Sequence, residues 1–157
     1  MKIFDIDFSY DETLMLTCGD DERFKVWNIG AINLATTAPT MVANVLTGDF
    51  LMVCKFSSTN LVLTSNRNNN NNKVYSSNFT NTVIRTYTGG KMNSAGFFYY
   101  ENSTRVVMGS DNGRFFWHNG TSSTAPTIGL SLVFDAGGGN VWLAQVDRTN
   151  QFIAYGG

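Results

Sequence analysis

Phe4-Asp5-Ile6-Asp7-Phe8, Leu14-Met15-Leu16-Thr17-Cys18 and Arg23-Phe24-Lys25-Val26-Trp27-Asn28 follow one another with only short polar gaps between them. The first segment alternates: Phe4, Ile6 and Phe8 share one face and Asp5 and Asp7 the other, the period of a β-strand. Tyr10-Asp11-Glu12 reads as a turn. The second segment is nearly all apolar, as expected of a strand covered on both faces. The third ends in an aromatic, Trp27. Together the three predict an antiparallel meander. No window carries a 3.6-residue apolar period with caps, so no helix is expected.

The same unit recurs along the chain. Val53-Cys54-Lys55-Phe56-Ser57 leads into Leu61-Val62-Leu63-Thr64-Ser65-Asn66, and Ser94-Ala95-Gly96-Phe97-Phe98 leads into Arg105-Val106-Val107-Met108-Gly109-Ser110. Leu143-Ala144-Gln145-Val146-Asp147 leads into Gln151-Phe152-Ile153-Ala154-Tyr155-Gly156. The interval is about 42 to 48 residues, near the ~40–45 of propeller blades. Tyr75 and Trp117 close the later third strands, as Trp27 closes the first. Fourth strands are expected near Met41 to Leu46, Thr82 to Tyr87 and Ile128 to Phe134. The chain then divides as a single domain, 1–157, with units at about 1–46, 47–90 and 91–135 and a half unit at 136–157.

Gly19-Asp20-Asp21-Glu22-Arg23-Phe24-Lys25-Val26-Trp27-Asn28 resembles the signature of the WD40-repeat β-propeller family, in which a turn Asp precedes Trp by six residues. Asp111 and Trp117 repeat that spacing in the third unit. The resemblance covers nearly the whole chain. It implies an all-β, WD40-like propeller of about 3.5 four-stranded antiparallel blades, with Asp21, Trp27, Tyr75, Asp111 and Trp117 as its fold signature. The blades are degenerate. The family's Gly-His pair is absent, and the only histidine, His118, directly follows Trp117. The His–Asp network that ties strands together in the family is therefore incomplete. In the second unit Asn68 to Asn72 replaces the Asp-containing turn. At the position of Phe24 the other units carry Asn72 and Arg114.

A propeller closes by setting its last blade against its first, which removes exposed flanks. Three and a half blades leave a flank open, so the expectation is a piece of a longer propeller, or a chain closed by another one. An open flank exposes apolar faces and unpaired strand edges.

Composition excludes several function classes. Of the 157 residues, 43% are hydrophobic, 13% aromatic and only 15% charged, which suits an ordered β-rich chain. The net charge is -1 and no Lys/Arg cluster exists, so no nucleic-acid partner is expected. No apolar stretch approaches the ~20 residues of a membrane helix, and the amino terminus is no signal peptide. An intracellular chain that is soluble or bound in an assembly is the expectation, and the sequons at Asn78, Asn102 and Asn119 then carry no weight. Cys18 and Cys54 lie in apolar runs and read as small buried hydrophobes.

Chemistry-bearing residues are few. Asp20-Asp21-Glu22 lacks the oxygens, glycine and terminal Glu of a calcium loop, and Asp21 reads as a turn former that bonds its own backbone. Gly89-Gly90 and Gly137-Gly138-Gly139 lack the strand–helix context of a phosphate cradle and suit chain reversal. One histidine without a nucleophile motif supports no triad. A propeller enzyme would need polar residues converging in a central channel, where Asp5, Asp7 and Asp147 are the first-strand candidates. No metal, cofactor or small-molecule substrate is expected.

The function expected is a non-catalytic protein–protein interaction scaffold whose partners are other proteins or the rest of its own chain. The alternative is a structural subunit covered by its neighbours in an assembly, and a propeller enzyme stands third. The partner-binding rim would be the turns before the third strands, with Arg23, Arg67 and Arg114 as its candidate contacts. The Asn68–Asn72 run reads as a neutral loop insertion rather than a binding finger.

Overall fold

The computed structural model describes residues 1–30, 37–66, 72–88, 92–100, 103–110, 114–119, 127–129, 131–135, 143–146 and 153–156. Among these every regular element is a strand. The first sheet runs β1 (Ile3–Phe8), β2 (Leu14–Gly19), β3 (Arg23–Asn28) and β4 (Thr40–Leu46), in that spatial order and antiparallel throughout. The second runs β5 (Leu51–Phe56), β6 (Val62–Asn66), β7 (Asn72–Tyr75) and β8 (Val83–Thr88), again in order. The third pairs β9 (Met92–Tyr100), β10 (Ser103–Ser110), β11 (Arg114–Asn119) and β13 (Ser131–Asp135). A last hairpin joins β14 (Leu143–Val146) to β15 (Ile153–Gly156). No sheet closes on itself.

The expected meanders are present, with one correction. The segment expected as a single fourth strand of the third unit is two strands. The short β12 (Thr127–Gly129) adds in parallel to the outer edge of β8 in the second sheet, Ile128 opposite Tyr87. Only β13 completes the third sheet.

The hairpins share one turn chemistry. Ser9, Ser57 and Ser76 each accept the amide of the residue three further on, Glu12, Asn60 and Phe79, at 2.9, 3.0 and 3.2 Å. Those three residues have left-handed backbones, with φ of 59°, 60° and 56°. Side chains tie the turns from within, the Asp11 carboxylate accepting the Thr13 amide at 3.1 Å and the Ser57 hydroxyl the Thr59 amide at 3.2 Å. This is the side-chain-to-backbone turn that Ser and Asp favour. Gly19 answers a different need. A β-carbon there would sit 1.9 Å from the Lys2 carbonyl oxygen, which accepts the Asp20 amide at 3.1 Å.

The sheets stack through their first strands: β1 lies beside β5, β5 beside β9 and β9 beside β14. Two apolar cores fill the first two gaps. Leu16, Cys18, Phe24, Val26 and Val45 of the first sheet meet Leu51, Cys54, Phe56, Val62 and Tyr75 of the second. Val53, Leu63, Val74 and Tyr87 leave the opposite face of that second sheet and meet Met92, Ala95, Val106 and Met108 of the third. The middle sheet is thus covered on both sides, which is why β6 is buried at every residue, its polar Thr64, Ser65 and Asn66 included.

The first interface turns on Phe24, fully buried, whose ring lies 5.1 Å from that of Tyr75. Phe24→Ala should cost about 3–5 kcal/mol, because the stacked sheets cannot collapse into the space left. In urea the midpoint should fall with the slope unchanged; a loss under about 1 kcal/mol would show that the two sheets are not packed on this ring.

Candidate functional site

The polar chemistry of the chain concentrates where β1 meets β5. A first strand uses one edge for its own sheet and turns the other toward its neighbour, leaving alternate amides without a ladder partner. Asp5 and Asp7 fill those places. The Asp5 Oδ2 accepts the Cys54 amide at 3.0 Å, and the Asp7 Oδ2 accepts the Phe56 amide at 2.7 Å. Both pairs are 49 residues apart, so β1 and β5 run side by side in the same direction. Asp5 also binds the Lys55 ammonium at 2.8 Å and accepts its own neighbour's amide, that of Ile6, at 3.0 Å.

These carboxylates face the second sheet, not an open channel. Opposite them in their own sheet stand Cys18 and Leu16, two core residues. Burial raises the Asp7 carboxyl above its ordinary value, against the opposing pull of the Phe56 amide and the Lys55 charge. Burial also works against the Lys55 ammonium, but the charge and hydrogen bond of Asp5, with Asp7 beyond, hold its pKa above the usual value. The Cys54 thiol donates to the Asp5 carbonyl at 3.7 Å and shares a core with Cys18, and burial, reinforced by Cys18, pushes it well above the ordinary thiol range. Both cysteines are free and buried, and the raised Cys54 thiol is a poor nucleophile. The pairing of Cys18 with Cys54 across the interface was not legible from their sequence spacing.

Among the described residues the second interface has no acid clamp. Val53 and Lys55 stand where the first sheet has Asp5 and Asp7, and the Ser65 hydroxyl instead reaches across to the Met92 carbonyl at 2.9 Å.

Two of the residues expected as a signature, Trp27 and Tyr75, fall in equivalent places. Thr17 pairs with Lys25 in the first sheet and Thr64 with Lys73 in the second. Trp27 donates its indole N–H to the Thr17 hydroxyl at 3.1 Å. Tyr75 occupies the equivalent place and is fully buried. Burial, reinforced by the Asp49 charge and opposed by the Thr64 hydroxyl, pushes its pKa up to about 12. Its hydroxyl finds no partner of good hydrogen-bond geometry. Asp21 does not bond its own backbone as expected of a turn former; it binds Lys25 across the turn at 2.5 Å. The left-handed residue of that turn is Glu22, at φ 59°, and Asp20 accepts the Lys2 amide at 2.7 Å. Asp111 lies outside the described residues, and Trp117 lies within β11.

Of the rim candidates, Arg23 opens β3, is half-buried, and donates to the Asn44 amide oxygen at 3.3 Å. Arg114 opens β11, the equivalent position in the third sheet. Arg67 lies outside the described residues, as do Asn68 to Asn71, Asp147, Gly89-Gly90 and Gly137 to Gly139. The last residue of the asparagine run takes the third-strand place expected of it, equivalent to that of Phe24, and not the loop expected of the run. Asn72 is the first residue of β7, is buried, and donates to the Tyr87 carbonyl at 3.3 Å. Its neighbour Lys73 binds Asp49 at 2.6 Å, tying the link between the first two sheets to β7.

One surface stands out. The face of the first sheet turned away from the second carries Ile6 and Phe8, 48% and 51% exposed, with Met15, Trp27 and Met41 beside them. The aligned residues of the second sheet, Cys54, Phe56, Val62 and Tyr75, are buried in the first core.

Among the described residues no group of three metal-ligating side chains comes together, and no helix is long and apolar enough to cross a membrane. No family model matches the chain, and no curated protein is similar to it.

Asp5→Ala should cost about 1–3 kcal/mol, because it strands the Cys54 amide and the Lys55 ammonium together. Asp7 should behave otherwise. A carboxyl whose pKa is raised by folding lends stability that is complete below its unfolded value and lost as pH rises through the folded one. Asp7→Asn removes that loss, so melting temperatures of variant and wild type should diverge, in favour of the variant, from about pH 4 toward neutrality. Parallel profiles would show that burial does not govern this carboxylate.

Proposed function

We propose that the chain is a non-catalytic protein-interaction scaffold of the WD40-repeat β-propeller type, working as an intracellular protein. The observation that carries this reading is the use of Asp5 and Asp7. These acids are engaged by the amides of the neighbouring sheet, so they hold blades together rather than meet a substrate. The stack of meanders with successive first strands adds support. So do the recurring Thr and aromatic positions of the second and third strands. In this reading the turns before the third strands form the rim, and Arg23, Arg67 and Arg114 contact the partner. Arginine is favoured there because its planar fork binds carboxylates and carbonyls in a fixed geometry.

A second reading has its own observation. The exposed Ile6–Phe8 face of the first sheet is an apolar patch of the kind that marks an interface, which favours a structural subunit whose neighbour in an assembly covers that face. The two readings are compatible, since rim and face are different surfaces.

Changing Arg23, Arg67 and Arg114 together to Glu should abolish capture of partner proteins while leaving the thermal melt unchanged. Capture that survives the triple change would sink the rim assignment. For the second reading, Ile6→Glu with Phe8→Glu should abolish self-association or assembly binding in light scattering. Equal association of the double variant and wild type would remove the face from consideration.

A further inference from the structure

The outer edges of the first two sheets are built alike, but among the described residues only that of the second is covered. Phe24-Lys25-Val26-Trp27 of β3 and Asn72-Lys73-Val74-Tyr75 of β7 hold equivalent places, since Lys25 faces Thr17 and Lys73 faces Thr64. One strand further out, Val45 of β4 stands opposite Phe24, and Tyr87 of β8 stands opposite Asn72. Val45 and Tyr87 are therefore the same position, and both side chains are buried. Beyond Tyr87 the second sheet continues into β12, with Thr127, Ile128 and Gly129 in parallel register with Thr86, Tyr87 and Thr88. Among the described residues no strand is added beyond Val45, and β4 is the last strand of its sheet.

Asn44 and Leu46 stand on the face of the first sheet turned away from the second, where Asn44 is exposed and Leu46 is 49% exposed, while their counterparts Thr86 and Thr88 are half-buried on the face that packs against the first sheet. An open edge with a large apolar residue standing over it is a template for another strand. Its main-chain groups supply the binding energy, and pockets for alternate side chains supply the choice of partner. Lysine or proline normally blunts such an edge, yet Thr40-Met41-Val42-Ala43-Asn44-Val45-Leu46 contains neither.

We propose that the edge of β4 at Asn44, Val45 and Leu46 docks an extended segment of a partner protein. The segment adds in parallel, as Thr127–Gly129 adds to β8. Its chemistry is that of the precedent: uncharged, with a β-branched apolar residue opposite Val45 and small residues on either side. The site lies on a strand edge, away from the rim turns except for the Arg23–Asn44 hydrogen bond. It goes beyond the scaffold reading, and its test is independent of partner capture.

The test uses the full chain and a fluorescent heptapeptide, Ala-Pro-Thr-Ile-Gly-Leu-Ser, the sequence of residues 125–131. Anisotropy should show saturable binding by about 1 mM, the weak range expected of one short added strand. Hydrogen exchange on the wild-type chain should slow at residues 44–46 when the peptide is present. Leu46→Glu, at an exposed position, should keep the melting temperature and weaken binding at least tenfold. Methylating the peptide's isoleucine nitrogen should also weaken binding. The proposal is overturned by no binding at that concentration, by undiminished binding to Leu46→Glu, or by protection at residues 86–88 in place of 44–46. Sedimentation showing two copies paired through β4 without peptide would overturn it too.

Discussion

Stacking flat sheets around their first strands creates one unavoidable difficulty: each inner strand has a second edge whose amides find no ladder partner. A buried amide left in that state costs about 1–3 kcal/mol, and β5 has two such amides within three residues. Asp5 and Asp7 resolve this with their side chains, reaching Cys54 and Phe56 at 3.0 and 2.7 Å. The i, i+2 spacing of the acids matches the i, i+2 spacing of the amides because both strands share the same period. Once those bonds form, the relative height and direction of the first two sheets are set. The facing positions of Phe24 and Tyr75, and of Cys18 and Cys54, follow from that alignment.

The clamp also explains an inversion in the first strand. Its acids point toward the neighbouring core and its apolar residues, Ile6 and Phe8, point away. Burying a carboxylate is costly, and the raised pKa of Asp7 records that cost. The two amides and the Lys55 ammonium offset it. Where acids are absent, at the second interface, the same junction is made by Val53 and by the Ser65 hydroxyl on the Met92 carbonyl. One architecture therefore tolerates an ionic and an apolar solution at equivalent positions.

Edges and faces left over from this stacking are where interaction is to be sought. The Ile6–Phe8 face matches faces that are buried elsewhere in the chain, and the β4 edge matches one that is covered elsewhere. In both cases the repeat itself provides the comparison, since among the described residues a neighbour is present at one of two equivalent sites and not at the other.

The strand pattern was legible from the sequence, because a period of two and the recurring Thr and aromatic positions are local properties of the chain. Asp5-Ile6-Asp7 could be placed on a strand, and its acids on one face, from the same local rule. Their role could not be, since it depends on which amides of a segment 49 residues away lie opposite. The same holds for Thr127–Gly129, whose residues suit a strand but whose parallel partner, β8, belongs to another sheet. Asn72 read both as the end of a polar loop and as the counterpart of Phe24, and its burial in β7 beneath the Tyr87 carbonyl is a consequence of register. Sequence alone thus determined what each segment is, through alternation and turn chemistry. The tertiary structure decided what each segment touches, because hydrogen bonds and packing between sheets join residues that the chain keeps far apart.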